Sequence, residues 1–165
     1  MTDSNYNILL STAGRRVSLL KTLRQTLSDL NLTGEVVAVD MSRTAPAFHV
    51  ADRAFEVPRC TDEQFIPRML NICRENDIDL IVPTIDPALS VYATHRSAFQ
   101  EVGAKIGLSE LETIEISSDK RSTHRWLLEQ GFPTPRQGSY DDVLAEPDEW
   151  NFPLATKPSD GSRSI

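Results

Sequence analysis

Apolar positions in the first two-thirds of the chain follow two rhythms. Short runs that are apolar almost throughout occur at 7–11 (Asn-Ile-Leu-Leu-Ser), 35–39 and 79–83, as strands buried on both faces require. Further short strands are expected at 54–57 and 104–108. Between the runs, apolar residues return at helical spacing. Val17, Leu20, Leu23, Leu27 and Leu30 predict a helix over 15–30, closed by Asn31 and Gly34. Phe65, Ile66, Met69, Leu70 and Cys73 mark the inner face of a helix over 63–76, with Thr61 or Asp62 as its cap. Pro67 falls near its first turn, where a missing N–H is tolerated. Leu89, Tyr92 and Phe99 are the inward positions of a third helix over 87–102.

This alternation of strand and helix predicts βαβ units. Short connections and right-handed crossovers turn them into an α/β fold, a Rossmann-like doubly wound parallel sheet. After residue 109 the pattern changes. Two helical segments, 110–117 and 119–130, lead to a proline-punctuated stretch and a short strand expected at 152–157. A domain boundary is therefore expected within 110–135. The segment after Pro135 has little sheet to pair with and is expected to be mobile or to borrow packing from a neighbouring molecule.

Charge and composition narrow the function classes. The formal net charge of -7 argues against a nucleic-acid or anionic-membrane surface. The local basic pairs Arg15-Arg16 and Lys120-Arg121 suit a nucleotide phosphate better than a duplex. Cys60 and Cys73 form no CxxC pair and stand apart from His49, His95 and His124, so a zinc site has no support. With no signal peptide and no apolar run near the ~20 residues that span a bilayer, the expected compartment is the cytoplasm, with both thiols reduced.

Candidate chemistry begins at the first strand–helix turn, Ser11-Thr12-Ala13-Gly14-Arg15-Arg16, which faces the ligand side of a doubly wound sheet. It carries one glycine where the dinucleotide fingerprint needs three, so an NAD-dependent oxidoreductase fails on the glycine count. Asp40 imitates the ribose-binding acid of that fingerprint but is read as a polar strand end. Arg15 and Arg16 either hold an anionic substrate at a helix N-terminus or form a solvated pair. In the loop Pro83-Thr84-Ile85-Asp86-Pro87, Asp86 either caps the next helix or faces a substrate.

The last third is more specific. Asp119-Lys120 opens a helix that Gly131 closes, followed by Phe132-Pro133-Thr134-Pro135. Later come Phe152-Pro153-Leu154-Ala155-Thr156-Lys157-Pro158 and the small-residue stretch Ser159-Asp160-Gly161-Ser162-Arg163-Ser164. Two lysines in different elements, the second followed by a small-residue loop, match the needs of a triphosphate: point charges, and backbone N–H groups that approach the oxygens closely. Singly, each element has a plain explanation as a surface lysine, a helix C-cap or an ordinary turn.

In this order the motifs resemble those of the ATP-grasp superfamily, in particular the large subunit of carbamoyl phosphate synthase. Thr12-Ala13-Gly14-Arg15-Arg16 is similar to the turn opening the pre-ATP-grasp domain, and Pro83-Thr84-Ile85-Asp86 to another of its loops. The resemblance implies a pre-ATP-grasp domain at 1–112 and the beginning of the nucleotide-binding domain at 113–165, truncated. It implies that Lys120 and Lys157 contact the ATP phosphates, with Lys157 also near the adenine side, and that Gly161, Ser162 and Ser164 begin the phosphate-covering loop. Gly14, Arg15 and Asp86 become the substrate-facing candidates. The implied reaction converts a small carboxylate and ATP to an acyl phosphate, which an amine attacks, with Mg2+ in the complete protein. The family's metal ligands lie downstream, so no metal site or catalytic residue is expected within this span. Neither ligase activity nor tight ATP binding is expected of this chain alone, and a homo-oligomer or partner chain completing the grasp is expected. The competing class is a non-catalytic Rossmann-like binding or assembly module that pairs with a separate chain.

Overall fold

Strand β1 (Asn7–Ser11) lies at the centre of a five-stranded, all-parallel sheet in the computed structural model, which describes residues 5–159. On one side it pairs with β2 (Val36–Asp40), which in turn pairs with β3 (Arg53–Glu56). On the other side stand β4 (Ile78–Pro83) and then β5 (Lys105–Ile106). The order β3-β2-β1-β4-β5 reverses direction between β1 and β4, as a doubly wound sheet does. The fold class expected from the sequence is the one observed.

Alternation along β1 explains its continuous apolar run. Ile8 and Leu10 pack on one face with Val36, Ala38 and residues Leu20 and Leu27 of α1 (Val17–Asp29). Leu9 points to the other face, into a cluster with Val37, Val39 and Ile81. That face is covered by α2 (Phe65–Glu75), α3 (Asp86–Thr94) and α4 (Arg96–Glu101). Its aromatic centre is Tyr92, with ring centroids 5.6 Å from Phe65 and 5.5 Å from Phe99. Fully burying each such ring stabilises by about 1.5–3 kcal/mol.

At the opposite end of the sheet, the buried Asn7 side chain donates to the carbonyls of Asn76 and Asp77 and accepts the Glu35 N–H. Gly34 has φ +154°, and a Cβ there would lie 2.1 Å from the Tyr6 carbonyl oxygen, so only glycine lets these backbones pass.

Several boundaries differ from the sequence reading. Helix α1 stops at Asp29, and Leu30 is 62% exposed rather than inward. The helix expected at 87–102 is two, divided at His95, whose N–H bonds the Tyr92 carbonyl three residues back at 3.2 Å instead of continuing the α ladder. Ala88 and Tyr92 are buried in α3, whereas Leu89 is half-buried. Only Lys105 and Ile106 of 104–108 form strand.

Two compact units divide after Leu111. The second contains most of α5 (Leu111–Ser118), then α6 (Lys120–Glu129) and α7 (Tyr140–Ala145). The strand expected at 152–157 is absent among the described residues; Pro153 and Pro158 cannot donate to a ladder. A missed helix, α7, forms instead. Ser139 and Asp142 make a capping box at its start, and the Arg136 guanidinium lies 4.3 Å from the centroid of the Trp150 ring. Among the described residues no helix is long and apolar enough to cross a membrane.

Candidate functional site

The reversal of strand order brings the carboxyl ends of β1 and β4 side by side, with Ser11 opposite Pro83. The loops leaving them are laced together. Thr84 Oγ1 donates to the carbonyls of Ser11 and Thr12, each at 2.8 Å, and Arg16 Nη2 donates to the Thr84 carbonyl at 2.6 Å. Beneath them the Ser11 hydroxyl and the Tyr92 hydroxyl share a buried hydrogen bond of 2.6 Å. Burial pushes the Tyr92 phenol further up, so it stays protonated.

Gly14 sits in this turn at φ +47°, which favours glycine. Its N–H donates to Asp40 Oδ2 at 2.8 Å, while its carbonyl accepts the Ala47 N–H at 3.1 Å. Asp40 Oδ1 accepts the Ser42 N–H at 3.1 Å. The acid that imitates a ribose ligand is thus a brace for the β1–α1 turn. Arg16 is drawn into the clamp, and Arg15 is left exposed beside it. Asp86 does not cap α3: Ile85 holds the N-cap position without a side-chain bond, and Asp86 is exposed as the first helical residue, before Pro87. The lacing by Thr84 and the Ser11–Tyr92 bond went unread in the sequence, since a lone threonine in a proline-flanked loop carries no pattern.

In the second unit, Asp119 caps α6 by accepting the Ser122 N–H at 2.7 Å. That bond, before the other contacts, holds its carboxyl below the usual carboxylate range. Thr123 Oγ1 donates back to the Ile116 and Asp119 carbonyls, fixing the α5–α6 corner. Lys120 is the first residue of α6 and is half-buried. Its backbone N–H donates to the Ser159 carbonyl at 2.9 Å, so the chain just past Lys157 returns to the start of this helix. Lys157 is exposed on irregular backbone. Gly161, Ser162 and Ser164 lie outside the described residues.

A family model described as "PylC-like, N-terminal domain" matches residues 8–106. The D-alanine–D-alanine ligase of Francisella philomiragia subsp. philomiragia is 36% identical over 64 residues, which are 39% of this chain and 22% of that ligase. Among solved structures, N5-carboxyaminoimidazole synthetase from Staphylococcus aureus, complexed with ADP, is 17% identical with a TM-score of 0.64, covering 98% of this chain and 41% of its own. The biotin carboxylase domain of the Hydrogenobacter thermophilus 2-oxoglutarate carboxylase, complexed with MgADP, ADP and bicarbonate, gives 17% and 0.63, covering 94% and 35%. Glycinamide-RNase-transformylase T from Mycobacterium tuberculosis gives 20% and 0.63, covering 96% and 44%. At these identities the structural likenesses establish the fold. The chain spans less than half the length of each of these proteins.

Proposed function

The chain belongs to the PylC-like N-terminal domain family, and from that premise we propose that it is the N-terminal portion of an ATP-dependent ligase joining a small carboxylate to an amine through an acyl phosphate. A carbamoyl phosphate synthase-like reaction is the near variant of this reading, and the cytoplasm is its compartment. In it, Lys120 and Lys157 are two point charges for the ATP phosphates, with Gly161, Ser162 and Ser164 covering them, and Gly14, Arg15 and Asp86 face the acceptor substrate.

The observation that carries the reading is the Lys120 N–H to Ser159 carbonyl bond, which draws the segment bearing Lys157 to the start of α6. A helix N-terminus with lysines on both converging segments favours an anion. ATP is therefore a fit for these residues. Mg2+ belongs in this reading to the complete protein, and no step is routed through a metal here. When bound, ATP supplies the phosphoryl group that activates the carboxylate; this chain's lysines orient and neutralise it.

An NMR titration of the 165-residue chain with Mg-ATP tests the proposal. Shifts confined to the amides of Lys120, Ser122 and Ser159, saturating weakly and lost in K120A/K157A, are expected, with no ATP turnover. Absence of localised shifts at millimolar nucleotide would sink it and favour the non-catalytic assembly module. A micromolar dissociation constant would overturn the weak affinity assigned to this span.

A further inference from the structure

An open groove of about 750 Å³ lies beyond the carboxyl ends of β2 and β3, one strand away from the β1/β4 loops. Its size is within the range of about 300–1,000 Å³ typical of small-molecule sites. It lies within residues 41–71, all in the first unit, and nothing in the ATP reading uses it.

Met41, Val57, Pro58 and Pro67 supply apolar surface, and both prolines hold their φ fixed. Val57 is further tied in place by its N–H bond to the Asp40 carbonyl at 3.0 Å. The charges fall into two groups. Arg43 is neutralised by Glu56 at 2.5 Å, and Asp62 Oδ1 is engaged by the Gln64 N–H at 2.8 Å. Arg59 and Arg68 also line the groove, and among the described residues neither guanidinium has an ion pair or hydrogen bond. In a chain of net charge -7, two guanidiniums without a carboxylate partner beside apolar surface are what an anion with an apolar body requires.

Three arginines against two carboxylates leave the lining with a single positive charge, which matches a monoanion and disfavours a dianion such as a phosphomonoester. We propose that this groove binds a small monocarboxylate, its carboxylate on Arg59 and Arg68 and its apolar stem on Met41, Val57 and Pro58. The site is independent of the nucleotide reading and stands or falls separately from it.

The test is an NMR titration of the 165-residue chain at constant ionic strength with butyrate, with its neutral counterpart butyramide, and with inorganic phosphate. Saturable shifts of the Arg59, Gln64, Arg68 and Asn71 amides by butyrate alone are expected. R59Q/R68Q should weaken binding by about tenfold or more, as loss of charge-assisted hydrogen bonds does. R59K/R68K should restore part of it, and R125Q, on α6, should leave it unchanged. Equal response to butyramide, tighter binding of phosphate than of butyrate, or undiminished affinity in R59Q/R68Q would each overturn the proposal.

Discussion

Asp40 Oδ2 accepts the Gly14 N–H at 2.8 Å, tying the end of β2 to the turn after β1. With Oδ1 on the Ser42 N–H, one carboxylate organises two loops on the ligand side of the sheet. Asp40→Ala strands both donors and should destabilise by about 1–2 kcal/mol, read as a lower urea midpoint. Asp40→Asn keeps one acceptor oxygen and should lose less. An unchanged midpoint for the alanine variant would show that the brace is idle.

Ser11 and Tyr92 form a buried pair whose hydroxyls have no water to fall back on. Tyr92→Phe leaves the Ser11 hydroxyl unpartnered, and Ser11→Ala does the same to the phenol, each at about 1–3 kcal/mol. The double variant removes both polar groups together and should cost clearly less than the sum of the two. Additive losses in this double-mutant cycle would mean that the hydroxyls do not couple.

The parallel sheet was legible because a strand buried on both faces writes an unbroken apolar run, as at Ile8, Leu9 and Leu10. The ATP-grasp resemblance is borne out by the matched family and the relatives. What periodicity does not encode is competition for backbone carbonyls. One expected helix divides at His95, where its N–H turns to the Tyr92 carbonyl, and no apolar spacing announces it. At 152–157 the sequence predicts a strand, yet none forms there among the described residues, and α7 instead starts at the Ser139–Asp142 capping box. The brace of Asp40 was half-read: its place at a strand end was clear, its partner Gly14 was not.

A carboxylate stands at the start of each of α6 and α7, Asp119 as the cap of the first and Asp142 in the capping box that Ser139 opens on the second. The Ser122 N–H lowers the Asp119 pKa and the Ser139 N–H lowers that of Asp142. A depressed folded pKa gives stability that is present above the unfolded value of about 3.9 and lost as pH falls through the folded pKa. The Ser122 and Ser139 amide resonances should hold steady from neutrality down to pH ~4 and then move together with the carboxylate titrations. Asp119→Asn, which caps without titrating, should abolish the Ser122 transition; movement of Ser122 in that variant would assign the effect to another group.

The two cysteines should separate by reactivity. Burial pushes the Cys73 thiol up to about 12, and its side chain is fully enclosed by the cluster around Tyr92. Cys60, at the edge of that cluster, is half-buried. Alkylation needs a thiolate that the reagent can reach, and Cys73 offers neither in the native state. At pH 8 iodoacetamide should label Cys60 first, while Cys73 should react only on unfolding, its rate falling as stability rises on withdrawal of urea. Mass spectrometry of the modified peptides reads both rates. Native-state labelling of Cys73 at the pace of Cys60 would mean that α2 opens locally from the sheet, without global unfolding.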